Sequence, residues 1–127
     1  AEDEKTSILI VEDNNELRHF LWNILSETYT VLEATNGKEG LKYAQQYIPD
    51  LIISDVMMPV MDGYEATAEI RKVSASVPII AVTAYAFAQD EQRIINSGFD
   101  AYTAKPINGK ILKDKISTLL THRIILM

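Results

Sequence analysis

The sequence predicts an α/β fold in which five parallel strands alternate with five helices in one doubly wound sheet. Three short runs, at residues 8–11, 51–53 and 79–82, are apolar on both faces and rich in β-branched residues. Parallel strands that are covered on both sides show such runs, because neither face meets water. Amphipathic stretches lie between them. Strands that alternate with helices through short loops imply right-handed crossovers within a single sheet.

Weaker patterns supply the remaining strands and helices. Further strands fit residues 29–34 and 100–104. The first helix has Asn14 or Asn15 as its expected N-cap. Its apolar stripe consists of Leu17, Phe20, Leu21, Ile24 and Leu25. The other helices are expected at residues 36–47, 63–73, 87–97 and 108–120. We expect the strand order 2-1-3-4-5, which is the flavodoxin-like arrangement.

Length and composition indicate one globular domain. The 127 residues include 18 acidic and 12 basic side chains, which gives a formal charge of −6 and a pI near 4.8. Phosphate backbones would repel such a domain, so no direct nucleic-acid binding is expected. The absence of Cys fits a reducing cytoplasm. No stretch offers the ~20 apolar residues of a membrane span, so no membrane contact by this domain is expected. The expected domain covers residues 1–127, with a core at about 6–121, a linker-like start at 1–6 and a tail at 122–127.

Carboxylates follow two of the buried strands at the point where each strand ends. Glu12 and Asp13 come directly after the first strand, and Asp55 follows the third. In the order 2-1-3-4-5 these two strands are neighbours at the switch point, where open α/β sheets bind ligands. Carboxylates about 4 Å apart repel one another, so they share protons or recruit a cation. An all-oxygen cluster favours a hard ion, with Mg²⁺ first.

The fourth and fifth strands add a hydroxyl and a cation to the same edge of the sheet. Thr83 ends the fourth strand and Lys105 follows the fifth. A carboxylate attacks phosphorus only when charge on the phosphoryl oxygens is neutralised, which a metal ion, an ammonium and a hydroxyl donor would do. The set therefore indicates phosphoryl transfer. Asp55 is the expected nucleophile, because it stands alone on the central strand while the acidic pair holds the metal.

Four segments resemble the receiver domain of two-component response regulators and hybrid sensor kinases. They read ILIVEDN, DVMMPVMDG, VPIIAVTA and AKPI, and the resemblance covers about residues 6–121. It implies that Asp55 is the phosphoacceptor and that Mg²⁺ is the cofactor. Asp13, Asp55 and the backbone carbonyl of Met57 would ligate the ion, with Glu12 acting mostly through water.

The resemblance also implies roles around the acceptor. Thr83 and Lys105 would bind the phosphoryl oxygens. Ala84 is small, as access to the pocket requires, and Pro106 would follow a cis peptide bond. Gly63, after Asp62, fits the turn that ends the loop behind the acceptor.

Two further implications concern switching and hydrolysis. Tyr102 occupies the position of the family's switch aromatic and would rotate inward as Thr83 moves toward the phosphoryl group. Met57 and Tyr85 flank the expected path of the hydrolytic water, and neither carries an acid or an amide. We therefore expect a domain that phosphorylates itself and dephosphorylates itself slowly.

By the same resemblance, the partner is a histidine kinase or a histidine phosphotransfer domain, whose phosphohistidine is the donor. The acidic start and the end soon after the fifth helix fit the C-terminal receiver of a hybrid sensor histidine kinase. The longer chain could then be anchored in a membrane through another domain. A stand-alone response regulator is the near alternative. The downstream effector is not indicated, and a dimer that forms on phosphorylation stays open.

Other classes of protein fit less well. A phosphohydrolase of the haloacid dehalogenase type also uses an aspartyl nucleophile, but it expects an Asp where this chain has Met57. A flavodoxin-like flavin binder needs a phosphate loop after the first strand, where Glu12 and Asp13 would repel the phosphate. A docking module that is never phosphorylated would not need the intact set with Thr83 and Lys105.

Several residues lie outside this argument. Trp22 is off the apolar stripe of the first helix and is expected to be partly exposed. It either packs against the last helix or anchors a partner. His19 and His122 are expected to be solvated. Loop packing is expected for three methionines, Met57, Met58 and Met61.

Overall fold

Five strands and five helices alternate along the chain in a computed structural model, which describes residues 6–58, 60–84 and 88–126. The strands are β1 Ser7–Val11, β2 Thr30–Ala34, β3 Leu51–Asp55, β4 Ile79–Thr83 and β5 Ala101–Ala104. The helices are α1 Asn15–Leu25, α2 Gly37–Tyr47, α3 Gly63–Val73, α4 Ala88–Asn96 and α5 Gly109–Leu126.

All strand pairs are parallel, and the sheet has the order β2-β1-β3-β4-β5. This confirms the predicted fold class. β1 lies between β2 and β3, so the chain reverses its winding direction at the β1–β3 pair. Val11 is in register with Ser54, and Asp55 with Val82. The ends of β1, β3 and β4 therefore lie side by side.

The three central strands, β1, β3 and β4, are buried on both faces, as the apolar runs predict. Ile8 and Ile10 of β1 pack on one face with buried residues of α1 and α5. Leu9 and Val11 pack on the other face with Ile70 of α3. Each fully buried aliphatic side chain of this kind contributes roughly 1.5–3 kcal/mol, so the strand ends are held on a rigid core.

Side-chain caps fix where three helices begin. Asn14 caps α1 by accepting a hydrogen bond from the Leu17 N–H at 2.9 Å, which settles the choice between the two asparagines. Asn36 caps α2. Asp62 and Glu65 form a reciprocal capping box at the start of α3. Such caps satisfy backbone N–H groups that have no partner within the helix.

The structure refines the sequence predictions for α1 and α5. Phe20, which the sequence places in the apolar stripe of α1, is 40% exposed. It lies at the edge of the stripe. α5 continues to Leu126 instead of ending at residue 120, because residues 121–126 contain no Gly or Pro. Trp22 is 39% exposed, as predicted.

The two histidines were both expected to be solvated. His19 is exposed, as predicted, whereas the side chain of His122 lies outside the described residues. In the part of the chain that the structure describes, no helix combines the length and the apolar character needed to cross a membrane.

Candidate functional site

Three carboxylates meet at the carboxyl end of the sheet. Glu12 and Asp13 follow β1, and Asp55 is the last residue of β3. One oxygen from each lies within 4.8 Å of the others. Glu12 and Asp55 are buried, with 1% and 3% of their surface exposed, whereas Asp13 is exposed. The cluster is thus closed on the protein side and open toward solvent at Asp13.

The Glu12 side chain is buried with one oxygen unsatisfied. Its Oε2 accepts a hydrogen bond from the Asn14 N–H at 3.0 Å, and its Oε1 has no hydrogen-bond partner. Burial raises the pKa of Glu12 to about 8; the bond from Asn14 opposes this effect, and the neighbouring Asp55 adds to it. A buried carboxylate in this position needs a proton or a cation.

Asp55 is held by two donors, one on each oxygen. The Lys105 ammonium donates to Oδ2 at 3.0 Å, and the Met57 N–H donates to Oδ1 at 3.0 Å. Burial lowers the pKa of Lys105, but its hydrogen bond to Asp55 and the nearby carboxylates outweigh that effect and raise the pKa overall. The ammonium therefore stays charged beside the carboxylate.

Thr83 and Lys105 lie at the ends of neighbouring strands. Thr83 is the last residue of β4 and is buried. Its carbonyl oxygen accepts a hydrogen bond from the Lys105 N–H at 2.8 Å. The peptide bond between Lys105 and Pro106 is cis, as the resemblance implies. Ala84 is exposed at the mouth of the site.

The loop between β3 and α3 packs tightly behind Asp55. A Cβ on Gly63 would lie 2.3 Å from the Asp55 carbonyl oxygen. The Gly63 N–H donates to the Val56 carbonyl at 3.2 Å, and the Gly37 N–H donates to the Met61 carbonyl at 3.1 Å. Only glycine fits at position 63, because backbone atoms occupy the space that a side chain would need.

The three methionines of this loop do not share one environment. Met58 is buried and Met61 is half-buried, but Met57 is 65% exposed. The expectation of loop packing is therefore wrong for Met57, whose N–H is held by Asp55 while its side chain extends into solvent. Tyr85, the second residue expected on the water path, lies outside the described residues.

Tyr102 lies on β5, half-buried between α4 and α5. The charge of Glu91 on α4, with a smaller contribution from burial, raises the pKa of the Tyr102 hydroxyl. Lys115 of α5 donates a hydrogen bond to the Tyr102 carbonyl oxygen, and its ammonium lies 5.2 Å from the centre of the ring. The ring is therefore bordered by both helices of this edge.

Arg18 belongs to the site, and the sequence argument missed it. Its guanidinium donates to the Glu12 carbonyl at 2.8 Å and to the Asn15 side chain at 2.5 Å. Its Nε also lies 3.5 Å from Glu33 of β2. Arg18 thus braces the loop that carries Glu12 and Asp13. The available signal was a basic residue one turn into the helix that follows an acidic pair.

The donor set fits a hard divalent cation. The cluster contains carboxylate oxygens and neither imidazole nor thiolate, which is the chemistry that Mg²⁺ and Ca²⁺ prefer. The unpartnered Glu12 oxygen supplies a further reason, since a bound cation or its water would satisfy it.

The chain belongs to the response regulator receiver domain family, which matches residues 8–117. It is 42% identical over 125 residues to histidine kinase P4 from Formosa agariphila, a match that covers 97% of this chain and 9% of that protein. It is also 36% identical over 115 residues to chemotaxis protein CheY from Halobacterium salinarum, covering 90% of this chain and 96% of that protein.

A solved structure of another receiver domain is similar to this chain over nearly its whole length. The receiver domain of sensor histidine kinase PA1611 from Pseudomonas aeruginosa PAO1, with a magnesium ion coordinated in the active site cleft, matches with a TM-score of 0.86 and 32% identity. The match covers 92% of this chain and 98% of that one. The protein is a receiver domain of two-component signalling, which confirms the reading from the four sequence segments. Its relatives include both a segment of a large kinase and a nearly complete small protein.

Proposed function

We propose that this receiver accepts a phosphoryl group on Asp55 from a phosphohistidine and that the resulting aspartyl phosphate changes its affinity for a partner. The observation that carries the proposal is the pairing of the buried Asp55 with the Lys105 ammonium at 3.0 Å, beside two further carboxylates. A nucleophilic carboxylate, a fixed cation and a candidate metal site are the parts that phosphoryl transfer requires.

In the proposed reaction one carboxylate oxygen of Asp55 attacks the phosphorus of the donor. The new O–P bond forms as the P–N bond breaks. The imidazole nitrogen keeps the bonding pair, and the imidazole leaves as a neutral group because its other ring nitrogen already carries a proton. Lys105, already beside Asp55, binds a phosphoryl oxygen, and Thr83 supplies a hydroxyl on the next strand end. Both contacts would stabilise the negative charge on the phosphoryl oxygens in the transition state.

Mg²⁺ is the proposed cofactor. Glu12, Asp13 and Asp55 supply the carboxylates, with the backbone carbonyl of Met57 as a further ligand and Glu12 acting largely through water. When bound, the ion would neutralise charge on the acceptor and on the phosphoryl oxygens. The magnesium ion in the receiver of PA1611 supports this assignment by similarity.

The proposed output is a shift between two conformations. A phosphoryl group that binds the Thr83 hydroxyl would favour the arrangement in which Tyr102 turns inward. The face that carries α4, β5 and α5 would then present a different surface to a downstream partner, which includes a second copy of this domain.

The proposed donor is a histidine kinase or a histidine phosphotransfer domain. The similarity to a segment of histidine kinase P4 favours a place within a hybrid sensor kinase, and the similarity to CheY keeps a stand-alone regulator as the alternative. A cytoplasmic site of action belongs to the same proposal.

Intact-mass spectrometry tests this function directly. The protein is incubated with Mg²⁺ and a small-molecule phosphodonor, beside Asp55→Asn and a sample with chelator. We expect one phosphoryl adduct that is lost in both of those samples. Asp114→Asn, which removes an exposed carboxylate of α5, is the matched control and should keep the adduct. An adduct that persists in Asp55→Asn would refute the assignment.

A further inference from the structure

Tyr64 connects the loop behind Asp55 to helix α4. It follows Gly63, whose backbone packs against the Asp55 carbonyl oxygen with no room for a side chain. The guanidinium carbon of Arg93, on α4, lies 3.9 Å from the centre of the Tyr64 ring. Phe99, just after α4, meets the same ring edge to face at 5.9 Å. One aromatic ring therefore contacts both α4 and the turn that follows it.

The turn after α4 is anchored separately. Arg71 of α3 donates two hydrogen bonds to the Gly98 carbonyl, at 3.0 and 2.7 Å, and one to Asp100 at 2.8 Å. Gly98 has φ +102°, a conformation that favours glycine. With this end fixed, a displacement of α4 moves the backbone of Arg93 relative to the Tyr64 ring. Arg93 is exposed, so breaking its contact with the ring costs little compared with opening the core.

We infer that Tyr64 and Arg93 are positioning residues that couple the state of Asp55 to the position of α4, by a route separate from Thr83 and Tyr102. The inference rests on the proposed function. Gly63 fills its space completely, so a displacement of the backbone at Asp55 moves Tyr64 as well. The stacked contact stabilises the arrangement of α4 that accompanies the unphosphorylated acceptor.

The direction of the effect follows from linkage. If the contact stabilises the arrangement of α4 without a phosphoryl group, it lowers the affinity of Asp55 for a phosphoryl mimic. By linkage, binding of the mimic weakens the contact by the same factor. Removing the contact should therefore tighten binding of a phosphoryl mimic. A surface cation–π contact corresponds to about a two- to fivefold change in affinity.

The test measures loading by beryllofluoride, a tetrahedral phosphoryl mimic, in the presence of Mg²⁺. Affinity is obtained by titration, and hydrogen exchange of residues 91–96 reports on α4. The variants are Arg93→Gln, Tyr64→Leu and their combination. Tyr47→Leu is the matched control, since it removes an aromatic contact on α2, where Tyr43 and Tyr47 meet at 5.8 Å.

Arg93→Gln and Tyr64→Leu should each raise the affinity about two- to fivefold, and the double variant should gain no more than either one. The exchange difference between loaded and unloaded α4 should shrink in all three. Unchanged affinity together with an unchanged α4 response would overturn the coupling while leaving the proposed function intact. Weaker loading would overturn the assigned direction. No loading of the original chain would overturn the proposed function and the coupling together.

Discussion

Glu12 shows at the scale of one residue how burial sets chemistry. Its pKa is raised to about 8, first by burial and then by Asp55, against an ordinary value of 4.5. Between these values the folded, metal-free protein holds a proton on Glu12 that the unfolded chain has released. Unfolding therefore releases a proton, and stability is lost as the pH rises toward 8.

Chemical denaturation with chelator present checks this pH dependence. The free energy of unfolding of the original chain should fall relative to that of Glu12→Gln by up to ~1.4 kcal/mol per pH unit between the two pKa values. Glu12→Gln should thus be the more stable protein at pH 7.5 without metal, and added Mg²⁺ should stabilise it less. Parallel curves for the two proteins would contradict the raised pKa.

Gly63 is expected to tolerate no side chain. Gly63→Ala would place a methyl group 2.3 Å from the Asp55 carbonyl oxygen, and the loop would have to move. We expect a loss of roughly 1–3 kcal/mol in the free energy of unfolding, with weaker Mg²⁺ binding. Gly109→Ala is the matched control, because its nearest neighbour would lie at 3.5 Å. Equal stability of the two variants would refute the close packing behind the acceptor.

Met57 tests the expectation of slow self-dephosphorylation. Its backbone is fixed to Asp55 and its side chain is exposed, so an amide at this position could orient a water toward the phosphoryl group. Met57→Asn should shorten the lifetime of the aspartyl phosphate by about tenfold, less than a full general base provides. Decay of the phosphorylated mass is the measurement. Val60→Asn, an exposed change in the same loop, should leave the lifetime unchanged; equal lifetimes in all three proteins would contradict the idea.

Single residues differ in how well the sequence predicts them. The positions of Glu12, Asp13 and Asp55 follow from the ends of strands, because strand ends are visible in the sequence. Arg18 is harder to predict, because it binds the Glu12 carbonyl and a basic residue one turn after an acidic pair is only a weak signal for such a contact. Val60 adopts φ 73°, which β-branched residues rarely do.

Among the elements, α3 is joined by Arg71 to the segments that directly precede β4 and β5. Besides Gly98 and Asp100, its guanidinium donates to the Val77 carbonyl at 2.7 Å. Arg71→Gln would leave several of these groups without a partner and should lower the free energy of unfolding by about 2 kcal/mol, as measured by urea titration. Lys72→Gln, which breaks an exposed pair with Glu69, should change it by less than about 0.5 kcal/mol. Similar losses in both would contradict the role of Arg71.

Strands were predicted better than helix faces and helix ends. A strand that is buried on both sides must be apolar throughout, so its run is unambiguous. The edge of an amphipathic stripe is less certain, and Phe20, at that edge, is 40% exposed. The end of α5 depends on the absence of breaking residues after Leu120, which is a weaker signal than a capping residue.

For the whole molecule, topology brings the site together. Residues far apart in sequence meet because parallel strands all end at one edge, and the order β2-β1-β3-β4-β5 makes the acceptor strand central. Strand alternation and the four segments were sufficient to predict this order and the family. The contacts of α4 with Tyr64 and Tyr102 were not predictable in the same way, since they depend on how a helix is placed over the sheet.

Chemical trapping identifies the residue that carries the phosphoryl group. After phosphorylation with Mg²⁺ present, borohydride reduces an aspartyl phosphate to homoserine, and peptide mass mapping locates the converted residue. We expect homoserine at position 55 alone, with none formed in the presence of chelator. Conversion at Asp13 or Asp62 instead, or a phosphorylated protein without homoserine at position 55, would contradict this expectation.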